Sequence, residues 1–166
     1  MHALLLLGIL ALAFHIQLVK AQPKKIFVDN DNTSGPWDGT PEHPYQNITS
    51  ALGYASTGDT IYVRAGTYYE RIVVSKSVSL IGENRDTTIV DGNRTGTVVR
   101  LQTSNVNLTN FTIRNAGTKW GPPPGTGYPD SCVFGNYVTH INFENDTFTG
   151  AAVCVAFIYS SHVSLS

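Results

Sequence analysis

The chain has 166 residues, of which 14% are Asp, Glu, Lys or Arg, and its formal net charge is −1. A charge so low and so balanced leaves no basic face for nucleic acid and no polybasic patch for an anionic membrane. Two cysteines fit an exported chain but are too few for a disulfide scaffold.

Met1-His2 is followed by an apolar run from Ala3 to Phe14, too short to cross a bilayer comfortably. Val19-Lys20-Ala21 then offers small or aliphatic side chains at the positions a signal peptidase reads. Residues 1–21 are therefore expected to be a signal peptide cut after Ala21, leaving a secreted or cell-surface chain with no integral membrane span. The first residues carry no Lys or Arg, so an uncleaved anchor or a different start is the alternative.

Residues 22–59 read as an N-terminal strand, loop and capping helix. Ile26-Phe27-Val28 suits a short strand. Asp29-Asn30-Asp31-Asn32 and Ser34-Gly35-Pro36-Trp37-Asp38-Gly39 are punctuated as loop. A helix is expected over Tyr45–Ala55, with Ile48, Leu52 and Ala55 on one face. Ser56-Thr57-Gly58-Asp59 ends it.

From Thr60 to Ser166 the pattern becomes short Val/Ile/Leu/Phe runs separated by Gly, Asn, Asp and Ser. Strands are expected near 60–63, 71–74, 78–82, 88–90, 97–101, 105–108, 111–113, 132–134, 138–143, 146–148, 153–157 and 162–165. Internal comparison decides how they pair. His140-Ile141-Asn142-Phe143 returns as His162-Val163-Ser164-Leu165, Cys132-Val133 as Cys154-Val155, and Tyr137 as Tyr159, all at an offset of 22. Asn107-Leu108-Thr109-Asn110 returns as Asn142-Phe143-Glu144-Asn145 at an offset of 35. An offset of 22 suits one coil of three strands, each pairing in parallel with its equivalent one coil on. The longer offset is the same coil carrying an insertion within Asn115–Ser131. The fold expected is thus all-β: a right-handed single-stranded parallel β-helix, three strands per coil, with a short N-terminal capping helix. The recognised strand at Ser166 carries no capping segment after it, so the chain reads as part of a longer protein.

Stacking predicts three ladders. Ile141 with Val163 and Phe143 with Leu165 should point inward, while Asn110 and Asn145 should pair their amides at a turn. N-x-S/T sequons occur at Asn32, Asn47, Asn93, Asn107, Asn110 and Asn145. Since an amide buried in a ladder is closed to a glycosyltransferase, glycans are expected at Asn32 and Asn93 rather than at Asn110 and Asn145. Cys132 and Cys154 should stack one coil apart, either as a thiol ladder or, less well aimed, as a disulfide.

The stretch Asp38-Gly39-Thr40-Pro41-Glu42-His43-Pro44-Tyr45-Gln46-Asn47-Ile48 resembles the opening of exported pectin-lyase-like proteins. Gly58 to Glu70, Ser79-Leu80-Ile81-Gly82-Glu83 and Thr88-Ile89-Val90-Asp91-Gly92 continue the likeness, which covers most of residues 26–166. The later half is similar to NosD-type repeats of surface proteins. The resemblance implies a scaffold more firmly than an activity. It also implies that substrate lies along the first sheet and the long turns beside it. Pectin methylesterases share the Gly66-Thr67-Tyr68-Tyr69-Glu70 type of turn, but their catalytic Gln-Asp pair has no counterpart in Ala151–Phe157, and Val133-Phe134-Gly135 lacks their Asp.

The candidate site is the inserted loop. It brings Lys119, Trp120, Tyr128 and Asp130 together, with Arg114 at its base, and aromatic and charged side chains of this kind suit a polysaccharide or surface glycan. The alternative is a Pro-stiffened loop whose Trp120 packs on the coil. Polysaccharide hydrolysis needs paired carboxylates, and Asp130 stands alone, so any catalytic groups are expected beyond Ser166. No cofactor is implied, although Asp29, Asp31 and Asp38 offer oxygens to Ca²⁺; the position an EF-hand reserves for Gly is Ser34. His140 and His162 read as exposed stacked rings rather than metal ligands, with no third His nearby and Met1 the sole Met. Two readings follow: an exported β-helix that binds carbohydrate or serves a structural role, or the N-terminal part of a polysaccharide lyase, hydrolase or pectin esterase.

Overall fold

The computed structural model describes residues 22–119 and 128–166. Residues 1–21, expected to be a signal peptide, and Trp120 lie outside the described residues. Among the described residues fourteen strands and one helix follow in the order β1 (Lys25–Val28), α1 (Ile48–Tyr54), β2 (Thr60–Val63), β3 (Gly66–Tyr68), β4 (Ile72–Val74), β5 (Ser79–Gly82), β6 (Thr88–Asp91) and β7 (Val99–Leu101). The chain continues with β8 (Val106–Thr109), β9 (Thr112–Arg114), β10 (Ser131–Asn136), β11 (Thr139–Glu144), β12 (Thr147–Thr149), β13 (Val153–Ile158) and β14 (Ser161–Leu165).

Every strand pairs in parallel with one a full coil away, giving sheets β1-β2-β5-β8-β11-β14, β3-β6-β9-β12 and β4-β7-β10-β13. Three strands per turn in this cyclic order make a right-handed parallel β-helix, as the repeat predicted. The expected register holds: Ile141 pairs with Val163 and Phe143 with Leu165, while Ile141 lies beside Val106 in the preceding coil. Alternation sends one residue in two to the interior, so Ile26, Ile61, Leu80, Leu108 and Phe143 form one buried column along the largest sheet.

The strand missed by sequence is β3. Gly66-Thr67-Tyr68 begins on a residue that reads as turn, yet Gly66 is there because the Asn30 side chain occupies the place of a Cβ. Tyr68 is buried, and its hydroxyl donates to the Arg64 carbonyl at 3.0 Å.

The helix is shorter than Tyr45–Ala55 because Tyr45 is recruited to the sheet. Tyr45 N–H donates to Phe27 O at 2.9 Å and Asp29 N–H donates to Tyr45 O at 2.8 Å. Asn47 then caps α1, its Oδ1 accepting from Ser50 N–H at 2.7 Å. The helix is clamped at both ends by the first coil. Glu70 accepts from Ile48 and Thr49 N–H, each at 2.9 Å. Lys76 Nζ donates to the carbonyls of Leu52, Gly53 and Ala55 at 3.1, 2.8 and 2.7 Å. An acid at the N-terminus and a cation at the C-terminus also match the helix dipole. Ile48, Ala51 and Leu52 are thereby held over the first coil.

The asparagine ladder is present. Asn145 Nδ2 donates to Asn110 Oδ1 at 2.7 Å, and both residues adopt left-handed φ, 53° and 63°. It sits at the surface rather than buried, since Asn145 is exposed. His140 and His162 stack at 4.8 Å with planes 5° apart, and Tyr137 and Tyr159 at 5.0 Å. Cys132 and Cys154 are free thiols in register, Cys132 buried and Cys154 exposed. No helix among the described residues is long and apolar enough to cross a membrane.

Candidate functional site

The sheet β4-β7-β10-β13 carries the site, and its outward column can be read from the register. Val73 pairs with Arg100, Arg100 with Phe134 and Phe134 with Ala156. The neighbouring column, Ile72, Val99 and Val133, fills the core. Phe134 should therefore face solvent, yet it is only 2% exposed. Two side chains cover it: the Tyr128 ring, returning from the inserted loop, packs at 4.5 Å with its plane tilted by 33°, and the Arg100 guanidinium lies 5.1 Å above the ring. The Tyr128 hydroxyl accepts from Asn136 Nδ2 at 3.3 Å, and the ring keeps 44% of its surface exposed.

The neck of the insertion is pinched by Lys119 and Asp130. Asp130 N–H donates to Lys119 O at 3.0 Å, and Lys119 N–H donates to Asp130 Oδ2 at 3.1 Å. Gly117 lies so close to the Asp130 carboxylate that no Cβ fits between them. Beside the neck, Arg94, Asn115–Thr118 and Gly150–Ala152 line an open recess of about 370 Å³. Arg71 approaches from the first coil, its Nη1 donating to Thr95 O at 2.7 Å.

Of the residues expected to form the site, Lys119 and Asp130 meet at the neck, through the Lys119 backbone, while Tyr128 packs on Phe134. Arg114 does not join them. It lies on β9, in the adjacent sheet, where its Nε donates to Asp91 Oδ2 at 2.8 Å. Burial alone would raise the Asp91 pKa, but hydrogen bonds from Arg114, the Asn93 N–H and Asn115 hold the carboxyl below its usual range. Arg114 is thus a structural partner of Asp91. Arg100, Phe134 and Asn136 were not singled out by sequence. The signal that could have found them is the in-out-in alternation of Val99-Arg100-Leu101 and Val133-Phe134-Gly135.

The expected glycan positions differ in what they do. Asn93 is exposed in the turn after β6, whereas Asn32 Nδ2 donates to Pro44 O at 2.8 Å and braces the N-terminal loop. The carboxylates weighed for Ca²⁺ have other work. Asp29 accepts from Arg64 Nη1 at 2.8 Å and from the Asp31 N–H at 3.0 Å. Asp38 accepts from the Thr40 N–H at 2.9 Å and the Thr40 hydroxyl at 2.7 Å, and its pKa is lowered chiefly by the Thr40 backbone bond. Among the described residues no three His, Cys, Asp or Glu converge as a metal site.

Comparison with solved structures places this architecture. A pectin methylesterase in complex with a hexasaccharide superposes over 87% of this chain and 50% of its own, with TM-score 0.64 and 15% identity. This is the pectin-lyase-like right-handed β-helix fold. The pectin methylesterase of Erwinia chrysanthemi matches 87% of this chain and 50% of its own at TM-score 0.61 and 14% identity. That of Aspergillus niger matches 88% and 51% at TM-score 0.56 and 20% identity. The chain spans about half the length of these enzymes, and at such identities the likeness is one of fold. No family model matches the chain, and no curated protein matches it. The narrower likeness to NosD-type repeats finds no support among these comparisons.

Proposed function

We propose that this chain is an exported β-helix domain that binds polysaccharide along the face of β4-β7-β10-β13. The observation that carries the reading is the Tyr128–Phe134–Arg100 cluster with Asn136 bonded to the Tyr128 hydroxyl. It holds a half-exposed aromatic ring rigid beside an amide and a guanidinium, the combination a pyranose ring with hydroxyl or carboxylate substituents can use. Arg71 and Arg100 favour an acidic sugar such as a uronate. Asp130 supplies a carboxylate at the loop neck, and one carboxylate supports binding rather than general acid–base chemistry.

The rival reading, the N-terminal part of a polysaccharide-modifying enzyme, draws on the fold shared with pectin methylesterases. One experiment separates the two: a glycan array probed with the chain, run alongside assays for released methanol and reducing sugar. Binding to acidic glycans that is lost in Tyr128→Ala, with no product released, is the expected result. Product release that survives Tyr128→Ala would overturn it.

A further inference from the structure

The N-terminal cap holds a second cleft, unrelated to the inserted loop. Trp37, Tyr45, Gln46, Asn47, Ser50 and Tyr54 line a recess of about 290 Å³, at the small end of the range for ligand sites. Two of its walls are large aromatic rings left open to solvent, Trp37 at 48% and Tyr54 at 66% exposed.

Both rings are fixed. Trp37 Nε1 donates to Asn32 O at 2.8 Å, and Asn32 is itself anchored to Pro44. Gly35, with φ of 58°, passes directly behind the indole. Tyr54 lies flat on Tyr45 at 5.1 Å with planes 7° apart, and Tyr45 is fastened to β1 through both backbone groups. Rigid aromatic surface contributes binding energy without an ordering cost.

The same lining carries an amide, Gln46, and a hydroxyl, Ser50, with Asn47 committed to capping α1. Among the described residues, no Lys, Arg, Asp or Glu lines this recess. Lys24, Lys25 and Asp38 line a separate recess that Tyr45 and Tyr54 also border. An uncharged lining does not compensate the desolvation of a carboxylate, so it selects a neutral ligand with an apolar face and hydroxyl edges.

We propose that this cleft is a subsite for a neutral hexopyranose unit of a glycan, with the sugar ring against Trp37 and Tyr54 and its hydroxyls bonded to Gln46 and Ser50. The proposal does not rest on the acidic-sugar reading of the β4-β7-β10-β13 face. The cleft differs from that face in ligand charge and shares no residue with it.

The test is NMR titration of the unglycosylated chain with cellohexaose, mannohexaose and hexagalacturonate, following the Trp37 indole N–H, assigned from Trp37→Phe. The expected result is a saturable shift with at least one neutral hexaose at millimolar concentration, and affinity for hexagalacturonate at this probe lower by about tenfold or more. Tyr54→Ala and Gln46→Ala should each weaken the neutral sugar, Tyr54→Ala by about tenfold, while Tyr128→Ala leaves it unchanged. Tyr54 and Gln46 are exposed, so these variants report even where Trp37→Ala unfolds the loop braced by Asn32. Absence of a shift with both neutral hexaoses overturns the proposal. So does a shift that survives Tyr54→Ala and Gln46→Ala, or one abolished by Tyr128→Ala.

Discussion

Asn145 joins two coils and a turn at one side chain: its Nδ2 donates to Asn110 Oδ1 at 2.7 Å, and its Oδ1 accepts from Arg85 Nη1 at 2.8 Å. Its backbone is left-handed, φ 53°, a conformation Asn tolerates better than Ala. Asn145→Ala loses both bonds and adds backbone strain, and should cost about 1–2 kcal/mol. Asn145→Gly loses the same bonds without the strain and should cost less. Urea midpoints of the two variants order them. Because the ladder occupies the Asn145 amide, mass spectrometry of the chain made in a glycosylating host should find Asn145 unmodified and a glycan at Asn93.

How far such ladders were legible depends on how locally their cause is written. His140-Ile141-Asn142-Phe143 and its copy share one register, so the coil, the strand register and the stacked histidines followed from repeat spacing alone, while Leu165, expected to point inward, is exposed. β3 was hidden because Gly66 answers to the Asn30 side chain, a contact no local window contains. Tyr45 left the helix for the same kind of reason, pairing with β1 across a long loop. At the site, loop composition singled out Tyr128 and Asp130 as candidates. The diversion of Arg114 to Asp91 depends on the pairing of β6 with β9, and the cover over Phe134 depends on where the loop returns.

The capping helix depends on Lys76. One ammonium satisfies three carbonyls at the end of α1, groups that otherwise lack intrahelical partners. Lys76→Met keeps the stem and removes the donors, and should lower stability by about 1–2 kcal/mol. Since α1 covers the first coil, hydrogen exchange should speed up first at Ile48–Tyr54 and at β1. Uniform acceleration throughout the coils would mean the helix is not a separate cap.

The two thiols should differ in reactivity although they are adjacent in register. Burial, and next the neighbouring Cys154, push the Cys132 pKa up to about 12, so almost none of it is thiolate at pH 8. Cys154 is exposed. Iodoacetamide should alkylate Cys154 alone in the native chain and Cys132 only after denaturation, as peptide mass spectrometry reads directly. Protection of both until a reductant is added would reveal a bond between the coils.

Asp146 sets a pH dependence of the opposite sign to that of most surface carboxylates. Burial raises its pKa to about 6, against hydrogen bonds from backbone groups that lower it, with the Glu144 charge adding a smaller upward push. Its Oδ1 accepts from the Phe111 N–H at 2.7 Å, while the buried Oδ2 has no partner. In the unfolded chain the group titrates near 4. Between about pH 4 and pH 6 the folded state therefore binds more protons, and stability falls as pH rises through that window. Below it both states are protonated and the cost vanishes. Asp146→Asn keeps an oxygen for Phe111 and removes the charge, so it should match the wild type at pH 4 and exceed it by about 1–2 kcal/mol at pH 7. Urea midpoints at pH 4, 5, 6 and 7 test this, and a difference that does not change with pH would mean Asp146 ionises in the folded chain as it does in the unfolded one.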